Sequence, residues 1–305
     1  MADIDSGRAH DLALRFSVEH YTNNYGDLFG KVDAVIIATP PHTHSGLTMD
    51  FLRHGIHVLC EKPLAYTVED AELMLDESRK TGVHLAVGMT RRMFGGNKLV
   101  KDLIRSDTIR KVIGDVTRVD AEEGGEFNWP VTTAFLVRKQ TAIHGQLFHS
   151  GIHLVDTLNW WFGRMDLLDY LDDGYNGLES ESTVHARFTS MMPSVDATIK
   201  ISSIRPLRNT ILIEGTRGKI EVPLSEFESE VIYVWSGGKR HVVAFDTSIP
   251  YKNPVIHFAD QLSLFCDSIM SAHRLYATPE EAVTTLEFIN ECYAVRGLIF
   301  NSWQM

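Results

Sequence analysis

Apolar positions along the first third of the chain recur with two different periods. Ala9, Leu12, Ala13 and Phe16 fall at i, i+3, i+4 and i+7, which predicts a helix that Ser6 is placed to cap. Residues 32–38, Val-Asp-Ala-Val-Ile-Ile-Ala, run apolar with little alternation, the pattern of a strand buried on both faces. Leu47, Phe51 and Leu52 predict a second helix, and residues 56–60 the next strand. Thr67-Val-Glu-Asp70 opens a third helix as a variant of the capping box; it carries Ala71, Met74, Leu75 and Ser78 and closes at Gly82. Residues 83–89 then predict a further strand. Strands and helices in alternation, with short connections, imply right-handed crossovers and a parallel, doubly wound sheet.

The pattern changes after Arg91. Strand-like runs at 115–121, 183–188, 197–203, 210–213, 218–222 and 231–235 are separated by turn signals with few helices between them. They predict a largely antiparallel second sheet. One helix, around residues 150–162, precedes most of these strands, and another opens at Thr278-Pro-Glu-Glu281 with a cap, a proline and a glutamate in order. The acidic, glycine-containing stretch 169–182 reads as a surface loop. The expected domains are 1–91 and 92–305, within an α/β fold: an incomplete Rossmann-like sheet followed by an α+β unit with a large, mostly antiparallel, open-faced sheet.

Composition narrows the function. The 305 residues carry 29 Lys and Arg against 40 Asp and Glu, a net charge of −11. That sign argues against nucleic acid or an anionic membrane surface as partner. Cys60, Cys266 and Cys292 are odd in number and widely spaced, which fits a reducing cytoplasm and offers no disulfide framework or zinc ribbon. No apolar run approaches a bilayer span, and the first residues do not read as a signal peptide.

Candidate chemistry lies beyond the carboxyl ends of the first strands, where ligands bind in doubly wound sheets. Residues 32–38 run into Thr39-Pro-Pro-His-Thr-His44, and the next strand delivers Glu61-Lys62-Pro63 to the same edge. A lysine there is either a surface charge or a positioned donor to a substrate oxygen, and the proline after it restricts the backbone.

Taken in order, T-P-P-x-x-H, G-I-H-V-L-C-E-K-P-L-A, V-G-M-x-R-R and G-I-H-L-V-D resemble the glucose-fructose oxidoreductase / inositol dehydrogenase / MocA (Gfo/Idh/MocA) family. The likeness continues through residues 213–219 and the C-terminal helix. It implies a nicotinamide-binding Rossmann domain and an open-faced sheet that commonly makes the oligomer interface, giving a homo-oligomer, dimer or tetramer. The implied activity is NAD(P)-dependent hydride transfer to or from a hydroxyl-bearing carbon of a sugar, cyclitol or related polyol. By position, Lys62 resembles the substrate-positioning lysine and His153 the acid/base. A histidine is suited to take the hydroxyl proton near neutral pH, and a cationic lysine to stabilise the developing alkoxide. Thr39, Pro40, His44, Glu61, Lys62 and Arg92 match cofactor-side positions. Asp3 matches the acidic residue that holds the adenosine ribose and favours NAD over NADP.

Two departures qualify the likeness. Family members often carry Asp four residues before the histidine, where this chain has His149. His149 and His153 are then expected on one helix face, shaping the pocket rather than binding metal, since no further ligand set completes such a site. The second departure is the absence of G-x-G-x-x-G; no two glycines are separated by a single residue. Against a full βαβ unit the chain starts roughly 30 residues late. That implies an N-terminal truncation of the family pattern, with an internal methionine of a longer protein as the favoured origin. A true truncation, or a gap covered by another chain or a rearranged sheet, are the competing explanations. The remaining strands are then expected to face unpaired backbone and exposed apolar side chains. The rival functional reading is an impaired family member that binds a small molecule as a regulatory protein. Transient use of NAD in glycoside cleavage is a third. Trp129, Trp160 and Trp161 offer either sugar-stacking faces or core packing.

Overall fold

A computed structural model describes residues 1–126, 144–174, 177–225, 230–244, 255–271 and 275–299. The helices are α1 (Ser6–Arg15), α2 (His44–Arg53), α3 (Val68–Thr81), α4 (Gly95–Arg105), α5 (Thr108–Ile113), α6 (Ile152–Phe162), α7 (Val255–Ser271) and α8 (Pro279–Ala294). A parallel sheet in the order β1-β2-β3 is formed by β1 (Ala34–Ile37), β2 (His57–Glu61) and β3 (Leu85–Gly88). The other strands are β4 (Val116–Gly124), β5 (Asp166–Asp172), β6 (Glu181–Phe188), β7 (Val195–Ser202), β8 (Thr210–Gly215), β9 (Gly218–Pro223), β10 (Val231–Ser236), β11 (Lys239–Ala244) and β12 (Gly297–Leu298). They make one mixed sheet in the order β11-β10-β9-β8-β4-β7-β6-β5-β12, antiparallel except for β4–β7 and β5–β12. The expected α/β architecture, a parallel sheet followed by a large and mostly antiparallel one, is therefore present.

The helix signals translate directly into caps. The Thr67 side chain accepts the Asp70 N–H at 3.1 Å, and Gly82 closes α3 in the left-handed region at φ 69°. Thr278 and Glu281 form a complete capping box at the start of α8. At α1 the cap is Asp5 rather than Ser6: its carboxylate accepts from the Gly7 and Arg8 N–H groups, and Ser6 is the first helical residue.

The small sheet is covered unevenly. On one face Ile37, Val58, Cys60, Leu85 and Val87 join the main core beneath α2, α3 and α8. On the other, Leu59 and Ala86 pack with Phe265 of α7, and Ala34, Leu262 and Ile269 border them. α7 does not reach the end of β1, where Ile36 is 55% exposed. Residues 32–38 are thus not a strand buried on both faces: β1 is four residues long, only Ile37 is buried, and its outer edge has no partner strand among the described residues.

The stretch 169–182 is not a surface loop. Its ends, 169–172 and 181–182, belong to β5 and β6, and its acidic residues Asp172 and Glu179 are buried as partners of Arg296. No helix among the described residues is long and apolar enough to cross a membrane.

Candidate functional site

The chain leaves β1 through Thr39-Pro-Pro and enters α2 at His44, and it leaves β2 at Glu61 into Lys62-Pro63, whose peptide bond is cis. One imidazole ties these two connections together. His44 is 1% exposed, with Nδ1 at 2.8 Å from the Pro63 carbonyl and Nε2 at 2.8 Å from the Thr39 carbonyl. Burial lowers its pKa while the two carbonyls oppose that shift. His44 therefore holds the walls of the site in register and is not exposed within it. Thr39 Oγ1 in turn meets Thr43 Oγ1 at 2.6 Å.

Glu61 pairs in register with Gly88, and a Cβ at Gly88 would stand 2.8 Å from the Glu61 carboxyl, so this glycine makes room for it. Burial raises the Glu61 pKa, against the neighbouring Lys62. The half-buried Lys62 reaches across to the second unit, its Nζ donating to the His149 carbonyl at 2.6 Å. Burial pulls the Lys62 pKa down to about 8, opposed by the nearby Glu61 carboxylate. The ammonium form is then close to balance with the amine just above neutrality.

His149 sits in a π turn, Leu147–Gly151, immediately before α6. His149 lines the cavity and His153 does not. Burial, reinforced by the Lys62 charge, lowers the His149 pKa to about 4. His153 is held well below its ordinary value by burial first, then by the charges of Lys62 and Arg91. Both imidazoles are neutral near pH 7, and His149 Nε2 and His153 Nδ1 are buried without a hydrogen-bond partner. Neutral imidazoles beside a cationic amine can accept a proton from a hydroxyl while the amine stabilises the resulting anion. Among the described residues no three His, Cys, Asp or Glu side chains gather as a metal set.

Between the two sheets lies a cavity of about 1400 Å³, lined at one end by Thr39, Glu61, Lys62 and Pro63 and at the other by Gln146, His149, Glu179 and Asn209. Glu123 also lines it and is gripped in a bidentate pair by Arg91. Of the residues expected from sequence, Thr39, Glu61, Lys62 and His149 line this space, with Pro41 in place of Pro40. Asp3 does not: it accepts the Asp5 N–H at 2.9 Å, pairs with Arg8 at 3.3 Å and lies where residues 1–3 bridge Thr22. Arg92 does not either. It is 2% exposed, forms two hydrogen bonds to Asp156 at 2.9 and 2.6 Å, and pairs with Glu281 at 2.5 Å. Its guanidinium is thus spent on joining the turn after β3 to α6 and α8.

Arg91 and Glu179 were missed by sequence reasoning. Arg91 stood beside Arg92 in the same motif, but successive residues of a 3₁₀ turn point about 120° apart, so only Arg91 reaches the cavity-lining Glu123. Glu179 gave no local signal, since its partners Tyr293 and Arg296 are 114 and 117 residues away. Trp161 is a core residue donating to the Asn97 carbonyl at 3.0 Å, Trp160 carries Arg92 over its ring at 5.6 Å, and Trp129 lies outside the described residues.

A nicotinamide nucleotide can be tested against these residues. Its nicotinamide end fits: the Thr39 and Lys62 connections present a polar edge at the carboxyl ends of adjacent parallel strands, backed by buried groups with unmet hydrogen-bonding capacity. For the pyrophosphate, the sequence contains no G-x-G-x-x-G.

Comparison with known proteins agrees with this geometry. Residues 1–89 match the model of the GFO_IDH_MocA oxidoreductase family with an NAD-binding Rossmann fold. The chain is 31% identical to the rhizopine catabolism protein MocA of Rhizobium meliloti over 46% of this chain and 41% of that protein. It is 23% identical to scyllo-inositol 2-dehydrogenase (NADP(+)) IolU of Bacillus subtilis, over 96% of this chain and 87% of that one. The first three curated relatives are matched over only 35–52% of their own length. In fold, a levoglucosan dehydrogenase solved with NADH and levoglucosan superposes with a TM-score of 0.83 at 19% identity, covering 96% of this chain and 86% of that structure. The ordered motifs and the parallel sheet ending in Thr39 and Lys62 thus carry the likeness to the Gfo/Idh/MocA oxidoreductase family over residues 1–89, and with the large sheet that closes the cavity the chain shares the fold of the solved dehydrogenase.

Proposed function

We propose that this protein is an NAD-dependent oxidoreductase that acts on a hydroxyl-bearing carbon of a sugar, cyclitol or related polyol. The observation that carries this reading is the meeting of Lys62 with the π turn. A cationic amine from the first sheet lies beside two neutral, buried imidazoles from the second unit, at the wall of a polar cavity. The neutral His153, close enough to feel the Lys62 charge though it is His149 that lines the cavity, takes the hydroxyl proton, and Lys62 holds the substrate oxygen and offsets its developing charge. Thr39 and Glu61 border the cofactor side. When bound, NAD supplies the hydride acceptor.

In this reading residues 1–91 serve the nucleotide and 92–305 serve the substrate and assembly. Copies associate as a dimer or tetramer through the open face of the nine-stranded sheet, which carries Tyr233 and Trp235 under Arg240. Three unpaired cysteines, two of them buried, accord with a cytoplasmic protein.

Titration with NADH, followed by nicotinamide fluorescence, is expected to saturate. A panel of unphosphorylated polyols and sugars with NAD is expected to yield at least one oxidised product. His153→Asn is expected to keep NADH binding and lose about 10²–10⁴-fold in turnover. The absence of both NADH binding and polyol oxidation in the native chain would overturn the function; full turnover in His153→Asn would remove that residue from the proton step.

A further inference from the structure

The π turn that supplies the His149 carbonyl is held by a side chain with no part in the chemistry above. Glu179 stands just ahead of β6 with a side chain that is 0% exposed. Its Oε2 accepts the Gly145 N–H at 3.0 Å, its Oε1 accepts the Leu147 N–H at 2.9 Å, and its own carbonyl accepts the Gln146 N–H at 3.1 Å. Three consecutive amides, which the start of a helical segment otherwise leaves without partners, thus end on one residue. Tyr293 donates to Oε1 at 2.6 Å, and Arg296, paired with the buried Asp172, reaches Oε2 at 3.4 Å. A buried carboxylate costs several kcal/mol unless its lone pairs are taken, and here four donors take them.

The approach is possible only because residue 145 is glycine. A Cβ there would lie 2.2 Å from the Glu179 carbonyl oxygen and 2.4 Å from Oε2. Two residues beyond the gripped Leu147, the His149 carbonyl receives the Lys62 ammonium. We propose that Glu179 is a positioning residue: its two-pronged grip on Gly145 and Leu147 sets the π turn and thereby the contact between Lys62 and the His149 carbonyl. The proposal deepens the oxidoreductase reading and rests on it only for the meaning of a change in turnover.

The test reads Lys62 directly, without activity. Competitive acetylation of the full chain by acetic anhydride, followed by mass spectrometry across pH, gives the midpoint at which Lys62 loses its proton. The charged groups that set it, Glu61, Arg91 and Glu123, are untouched by the substitutions used. In Glu179→Gln one amide of the grip meets an NH₂ group that cannot accept. The carbonyl then drifts from Lys62, and the midpoint is expected to fall by about one unit, the worth of one hydrogen bond to a charged group. Tyr293→Phe leaves both amide contacts in place and is expected to move the midpoint by less than a third of that. Where Glu179→Gln lacks native circular dichroism, Gly145→Ala, which pushes the turn away from an intact Glu179, is expected to give the same fall. An unmoved Lys62 midpoint in a folded Glu179→Gln or Gly145→Ala overturns the proposal, as does an equal fall in Tyr293→Phe. A shifted midpoint in a protein that oxidises no polyol upholds the grip and removes the oxidoreductase reading instead.

Discussion

The two sheets bury their side chains by different rules. In the nine-stranded sheet burial alternates: along β6, Val184, Ala186 and Phe188 face the core while Thr183, His185 and Arg187 face outward. The sheet carries ion pairs such as Arg187 of β6 with Asp196 of β7 at 2.5 Å, and Arg208, just ahead of β8, with Glu122 of β4 at 2.8 Å. In the three-stranded sheet every residue of β3 is buried, because α3 and α8 cover one face and α7 the other. The alternating sheet makes a platform with a free side. The doubly covered one makes a rigid base whose strand ends are the places left for chemistry, and there Thr39, Glu61 and Lys62 emerge. Rigidity under the site thus depends on helices that come from the far end of the chain.

The strongest way to break that arrangement is to unlink the two sheets at Arg92. Its guanidinium is shared by Asp156 of α6 and Glu281 of α8, and all of it is buried. Such a pair adds little over a well-packed apolar replacement, but losing one partner strands the other. Arg92→Met is expected to cost about 3–5 kcal/mol, read as a lowered urea midpoint, with the double variant Arg92→Met/Asp156→Leu recovering part of it. A single variant with the native midpoint would mean that the sheets hold together by apolar packing alone.

Lys62 tests the chemistry at the strand end rather than its foundation. Lys62→Met is expected to lower kcat/KM by about 10²–10³-fold, the usual cost of losing one donor to a developing oxyanion, with the urea midpoint nearly unchanged. The pH dependence carries a sign. Burial lowers the Lys62 pKa to about 8, so the ammonium form is present below that value and is lost as pH rises through it. The rate is therefore expected to fall on the alkaline side with a midpoint near 8 in the native protein. An alkaline limb that persists unaltered in Lys62→Met would assign that limb to another group.

These residues also mark how far the sequence could be read. Thr67 and Thr278 announced their helices because capping chemistry is local, complete within four residues. The motifs at Thr39 and Lys62 led to the edge of the cavity, because each lies just beyond the end of a strand. Arg92 was read as a cofactor-side group, yet a short 3₁₀ turn sends Arg91 to the cavity-lining Glu123 and Arg92 to Asp156 and Glu281. Glu179 was read as part of a loop because its burial depends on Tyr293 and Arg296, far along the chain. His149 and His153 were expected on one helix, and the π turn, which no local pattern marks, holds His149 ahead of the regular helix that carries His153. What was legible had its cause within a few residues; what was not had its cause in packing between distant segments.

The same distinction gives the smallest expected effect. Residues 34–37 are a continuously apolar strand signal, so the pattern alone would make Ile36 a core residue whose loss costs several kcal/mol. Ile36 stands in register with Leu59, on the face that α7 covers at Leu59 and Ala86, yet it is 55% exposed. A half-exposed side chain without core contacts contributes little, and threonine keeps the branched Cβ that a strand favours. Ile36→Thr is therefore expected to change stability by no more than about 0.5 kcal/mol, measured by urea denaturation. A loss of about 2 kcal/mol or more would show that the outer end of β1 is covered in solution, and the contrast between a fully covered β3 and a half-covered β1 would then no longer hold.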